Sequence, residues 1–155
     1  MRAVRDADVI IEQLTAARTE VLKAIEGLTE EQMAEAADDG WSVKDHLTHL
    51  TVWDEFRFFE ISRIARGGRA ALTSVSDEQI DLLNGITSTS RRPIPLAQVL
   101  EDMEFARALV LDAISHAPEE GLDEKRYGEV SLLGAVAHDW GHAEAIQRVR
   151  ERHSA

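Results

Sequence analysis

The sequence predicts an all-α fold, a four-helix bundle with a short extra helix between the second and third long helices. Three observations carry this expectation. Apolar residues recur at three- and four-residue steps over four long stretches, the spacing that places them on one helical face. Helix-start and helix-stop signals bracket those stretches. No segment shows the polar–apolar alternation of a half-buried strand.

The first helix is expected from about Asp6 to Ile25, where Ile10, Leu14, Ala17 and Val21 keep helical spacing and Gly27 stops the run. Thr29 and Gln32 form a capping box that opens a short turn of helix to about Ala36. After the loop Asp38-Asp39-Gly40, Ser42 is a good N-cap with Asp45 three residues on. This second long helix runs to about Arg66 and stops at Gly67-Gly68. Ser76 and Gln79 form another capping box, opening a helix through about Gly85 that the segment TSTSRRPIP (87–95) is expected to break. That irregular region is the expected place for a lid or a partner surface. The third long helix starts near Pro95 and ends near His116, with Pro118 and Gly121 beyond it and loop over 119–128. The fourth runs from about Val130 to Arg152.

Bulk properties bound the function. A chain of 155 residues suffices for one domain with a real core, and one domain over 1–155 is expected, since no repeat or long linker divides it. With 44% hydrophobic and 30% charged residues, the composition is that of a folded protein. The formal charge of −12, from 29 acids against 17 bases, repels phosphate backbones and anionic membranes, so neither nucleic acid nor membrane is an expected partner. The chain shows neither a long apolar run nor a signal-peptide core, and a cytoplasmic location is expected. Cysteine is absent, so any thiol chemistry needs a thiol from outside.

The candidate chemistry lies in the histidines. His138 and His142 stand one helical turn apart in SLLGAVAHDWGHAEAIQRVRERH, on one face and roughly 6 Å apart at Cβ. This spacing presents two nitrogen ligands to a divalent ion. Small residues beside them, Gly134, Ala135 and Ala145, leave room for a ligand, and at 100° per residue the histidine face coincides with the core face of the last helix. In the second long helix, His49, Trp53, Phe56 and Glu60 share an inward stripe, with His46 about 60° to one side and Lys44, Thr48, Thr51 and Glu55 opposite. Three neutral imidazoles would leave an open coordination position, the arrangement of a catalytic site. A hydrogen-bonded core role for these histidines, without metal, is the competing reading. His116 and His153 sit near helix ends without spaced partners.

The run Trp41-Ser42-Val43-Lys44-Asp45, with His49 eight positions after the tryptophan, resembles the second helix of the DinB-like superfamily of metal-binding four-helix bundles. His138-Asp139-Trp140-Gly141-His142 resembles the paired histidines on that family's last helix. The resemblance extends over nearly the whole chain in length and helix order. It implies an up-down-down-up bundle whose second and fourth long helices converge on a divalent ion held by His49, His138 and His142. His46 is off the family's ligand position and belongs behind the ligands or in the core, replacement of His49 as ligand being the alternative. Some members of the family transfer bacillithiol or mycothiol, and WSVKDHLTHLTVWDEF is also similar to the colibactin self-resistance group. The extra C-terminal domain of mycothiol-dependent maleylpyruvate isomerases is not expected here, because few residues follow the last helix.

The function so implied is that of a metal-dependent thiol S-transferase or hydrolase acting on a small electrophile, in stress or detoxification. Ligand type does not tell zinc, nickel, iron and manganese apart, since imidazole suits several of them, and an external low-molecular-weight thiol is a candidate second cofactor. Asp45 and Asp139 are candidates for orienting or proton-transfer roles, although Asp45 also serves the helix start. Glu60 lies about 16 Å along the helix from His49 and is not a candidate ligand. Trp41 and Trp53 are read as pocket walls or plain core. The apolar start of the last helix, with Trp140, makes a homodimer the expected assembly. The alternative is a non-catalytic metal-binding or stress-response protein with the same histidines.

Overall fold

The computed structural model describes residues 6–117 and 132–155, so the loop expected over 119–128, its neighbours Pro118 and Gly121, and a helix start at Val130 lie outside the described residues. Among the described residues all regular structure is helical: α1 Asp6–Ile25, α2 Glu30–Ala34, α3 Val43–Ala65, a 3₁₀ turn Leu72–Ser74, α4 Asp77–Arg91, α5 Leu96–His116 and α6 Leu132–Ser154.

The helix starts follow the local chemistry of the sequence. Thr29–Gln32, Ser42–Asp45 and Ser76–Gln79 each form a reciprocal capping box, in which the hydroxyl accepts from the third backbone N–H and that residue's side chain accepts from the cap N–H. The end of α3 is a Schellman motif. Gly67 adopts φ 83°, its N–H reaches Ile64 O at 2.9 Å, and Gly68 N–H reaches Arg63 O at 2.8 Å.

The expectation that residues 87–95 interrupt a helix is corrected, because α4 continues to Arg91. Thr87 Oγ1 donates to Leu83 O at 2.8 Å and Ser90 Oγ to Thr87 O at 3.2 Å, so these hydroxyls are satisfied without leaving the helix. Arg91 then clamps Glu55 of α3 through both terminal nitrogens, at 3.1 and 2.7 Å. Tertiary contact overrides the modest helix propensity of the Thr/Ser run.

Helix α1 packs along α6 and α3 along α5, with further contacts of α1 on α5, α3 on α6, and α4 on α3. The apolar interior forms two clusters. One gathers Ala7, Ile10 and Leu14 with Ile61 and Ile64, Val110 and Ile114, and Leu132 and Ala135. The other gathers Val21 and Ala24 with Val43, Leu47 and Leu50, Val99 and Met103, and Ala143, Ile146 and Val149. The beginnings of α1 and α6 therefore meet the ends of α3 and α5.

A layer of charge shares this buried interior. Arg18 of α1, Asp54 and Arg57 of α3, Arg107 of α5 and Asp139 of α6 are all buried, and Asp54 and Asp139 are fully so. Arg18 donates to Asp54 Oδ2 and Asp139 Oδ2, both at 3.0 Å, and Arg107 to Asp54 Oδ2 at 2.9 Å and Asp139 Oδ1 at 3.2 Å. Asp139 thus receives two guanidiniums, and Asp54 the same two with Arg57 at a longer 3.4 Å, the condition under which buried ions are tolerated.

Helix α3 is the most enclosed. Thr48 and Thr51, expected on its solvent side, are buried, because α4 and α5 cover flanks that a single inward stripe would leave open. Thr51 Oγ1 donates back to Leu47 O at 2.9 Å. No helix among the described residues is long and apolar enough to cross a membrane.

Candidate metal centre

Histidines reach one point from two helices. The capping box at Ser42 fixes the start of α3, which carries His46 and His49 on successive turns. Gly40, at φ 85°, and the Asp39 side chain, which accepts from Trp41 N–H at 2.9 Å, form the turn that delivers Trp41. On α6, the buried stripe runs through Ala135, Asp139, Ala143 and Ile146, and His138 and His142 stand half-buried on its flank.

His49, His138 and His142 each offer a ring nitrogen, and the three lie within 4.8 Å of one another. His138 Nε2 is 2.8 Å from His49 Nε2 and 3.0 Å from His142 Nε2. One imidazole nitrogen carries either one proton or one lone pair. A single Nε2 facing two others cannot make two good hydrogen bonds. A cation at the point of convergence satisfies all three lone pairs, since metal–nitrogen bonds of about 2.1 Å bring ligand nitrogens to such spacing.

The electrostatics favour the neutral, ligand-competent form. Burial, then neighbouring histidines and Arg57, push His49, His138 and His142 down from 6.5 to about 3. Burial likewise lowers His46. His138 Nδ1 is buried with no hydrogen-bond partner, an unmet polar group that costs stability and that lies on the far side of the ring from the converging Nε2. The residues present therefore fit a divalent ion by donor type, convergence and protonation state.

The DinB superfamily model matches residues 13–146, a span that contains all three histidines. The chain belongs to the DinB superfamily. Comparison with curated proteins and with solved structures gave no match.

In this DinB chain the remaining candidates fall as follows. His46 is outside the convergent trio, and its Nδ1 lies 2.7 Å from His142 Nδ1. Trp41 contacts His46 and His49, each at a ring-centroid distance of 5.2 Å, and His142 at 6.3 Å, while Trp53 lies 6.2 Å from His49. The two indoles line the histidines, and Trp53 is held by its Nε1–H donating to Asn84 Oδ1 at 3.0 Å. Asp45 closes its capping box and accepts from Arg92 at 3.3 Å. Although burial works against it, the Ser42 N–H and Arg92 keep the Asp45 carboxyl below the usual range. Asp139, next to His138 in sequence, has both oxygens engaged by Arg18 and Arg107. Glu60 accepts from Ala71 N–H at 2.6 Å and pairs with Arg63, away from the histidines.

Arg18, Asp54, Arg57 and Arg107 drew no attention in the sequence. A signal was there. Arg18 keeps helical spacing with Leu14 and Val21, and Arg107 with Met103 and Val110, so both interrupt apolar stripes, as Asp139 does on α6. Opposite charges inside separate stripes are the mark of a buried ion network.

Proposed function

We propose that this protein is a metal-dependent enzyme that brings a thiol or a water molecule to a small electrophile, with His49, His138 and His142 as the metal ligands. The convergence of three neutral imidazoles carries this reading. A divalent ion held by neutral ligands keeps its full charge and lowers the pKa of a bound water or thiol, supplying a nucleophile near neutral pH. The chain contains no cysteine, so a thiol nucleophile comes from outside.

The protein's own residues do the rest. Trp41 and Trp53 shield the histidines from water and offer apolar walls to a substrate. His46 sets the orientation of His142, accepting from its Nδ1–H so that Nε2 stays free for the ion. Asp45 anchors the start of α3 and thereby the position of His49. Asp139 holds α6 to α1 and α5 behind His138. The up-down-down-up bundle, treated as one domain over the chain, accounts for both core clusters: it places the beginnings of α1 and α6 beside the ends of α3 and α5. Trp140, 43% exposed on α6, is consistent with a homodimer.

The test is to load untagged protein with zinc or nickel, measure ion content, and screen thiol-plus-electrophile pairs for turnover. Loading with turnover that is lost in His142→Ala supports the enzyme. Loading without turnover in any pair favours a binding protein with the same centre.

A further inference from the structure

The buried charge layer does not balance. Three guanidiniums, Arg18, Arg57 and Arg107, stand with two carboxylates, Asp54 and Asp139. Arg18 and Arg107 each engage both acids. Arg57 is left over. Its Nη1 reaches Asp54 Oδ1 at a long 3.4 Å, and its Nε is buried without a hydrogen-bond partner. Buried guanidiniums are normally fully hydrogen-bonded, and one held by a single long contact with its Nε unmet costs stability.

The position of Arg57 explains why that cost is borne. It lies on α3 four residues after Trp53 and eight after His49. Helical side chains lean toward the N-terminus, so Arg57 leans toward both. Its guanidinium carbon is 5.8 Å from the Trp53 ring, and Trp53 lies against His49. Its positive charge thus stands one aromatic ring away from His49. A divalent ion would add two further positive charges beside it. With Nη1 turned to Asp54, the edge carrying Nε and the other terminal nitrogen remains, a two-pronged donor that matches the planar pair of oxygens of a carboxylate.

We infer that Arg57 is an anion-binding residue of the histidine site, and that the small molecule handled there carries a carboxylate which Arg57 grips while its reacting end faces the histidines. This inference rests on the reading of the trio as a metal centre and adds the substrate class. The anion supplies the charge the buried layer lacks.

The experiment uses acetate as probe, acetamide as neutral control, and the variants Arg57→Met and Arg57→Lys. Melting curves of metal-free protein are recorded with and without each probe at constant ionic strength. Acetate is then titrated into cobalt(II)-loaded protein and followed by visible absorption. Acetate, not acetamide, should raise the melting temperature of the wild type and leave Arg57→Met unmoved. Without acetate, Arg57→Met should melt no lower than the wild type, because it removes a buried charge with an unmet Nε and only a long contact to Asp54, which keeps Arg18 and Arg107. Acetate should bind loaded Arg57→Met at least about tenfold more weakly than the wild type, with Arg57→Lys in between. Equal acetate affinity in Arg57→Met, or a large drop in its melting temperature with no acetate response in the wild type, would overturn the inference and make Arg57 a structural residue. Failure of cobalt to load counts against the metal centre alone, since the acetate-dependent melting shift is read without metal.

Discussion

His46 Nδ1 lies 2.7 Å from His142 Nδ1, while His142 Nε2 faces His138 Nε2 at 3.0 Å. The two nitrogens of His142 are thus committed in opposite directions. If its Nε2 lone pair serves an ion, its proton sits on Nδ1 and His46 must accept. His46→Phe keeps the ring volume and removes the acceptor. Metal affinity should fall about 10–100-fold, the usual effect of removing the partner of a ligating histidine. Calorimetric titration of metal into the variant checks this, and an unchanged affinity would strip His46 of its positioning role.

The lowered histidine pKa values make the metal-free protein acid-sensitive in a defined window. His49, His138 and His142 stay neutral when folded down to about 3, but protonate near 6.5 when unfolded. Between these values the unfolded state binds more protons, so stability is complete above pH 6.5 and declines as pH falls toward 3. Each imidazole that charges only on unfolding steepens the decline by about 1.4 kcal/mol per pH unit. Asp54 behaves separately: burial opposes its ionisation, yet Arg107 and Arg18 hold its pKa below the ordinary 3.8, so its contribution is lost only in stronger acid. Urea unfolding at pH 7 and pH 5 should show a weaker metal-free protein at pH 5 and a smaller difference in His138→Phe. Equal midpoints at the two pH values in the wild type would contradict the assignment.

The charge layer predicts a large effect from a small substitution. Asp139→Asn preserves shape but removes one of the two anions that neutralise Arg18 and Arg107. Breaking a buried pair from one side leaves uncompensated charge, and a loss of about 3–5 kcal/mol is expected. Denaturant unfolding of the metal-free protein measures it. A loss below about 1 kcal/mol would mean that water reaches the layer and screens it.

The cap at Ser42 links local structure to the site. Its hydroxyl accepts from Asp45 N–H at 3.0 Å, and Asp45 Oδ2 accepts from Ser42 N–H at 3.0 Å. Ser42→Ala should cost about 1 kcal/mol of stability. Because the first turns of α3 carry His46 and His49, it should also weaken metal binding. Unfolding and metal titration on the same preparation separate the two effects, and stability loss with undiminished affinity would show that α3 is positioned by packing instead.

Much of this was legible from residue order alone. Helix caps and glycine stops are short-range chemistry: the boxes at Thr29 and Ser76 form as spaced, and the Ser42 cap forms where expected and becomes a third box through Asp45. The pairing of His138 with His142 follows from helical spacing. Which helices would be neighbours did not follow from spacing, and the missed features depend on that. Residues 87–91 stay helical because Arg91 meets Glu55 across α3. Thr48 and Thr51 are buried because α3 is enclosed on several sides. Asp139 is by sequence a candidate for an orienting or proton-transfer role beside His138, and its partners Arg18 and Arg107 come from distant parts of the chain. His46 gained its contact only once α3 and α6 were side by side.

The central claim is that His49, His138 and His142 together hold one divalent ion. Elemental analysis of untagged protein, as purified and after loading with zinc or nickel and removal of excess, tests it most directly, alongside His49→Ala and His142→Ala. The account predicts about one ion per chain in the wild type and a near-complete loss in either variant. Wild-type protein that retains far less than one ion after loading, or variants that retain as much as the wild type, would contradict it.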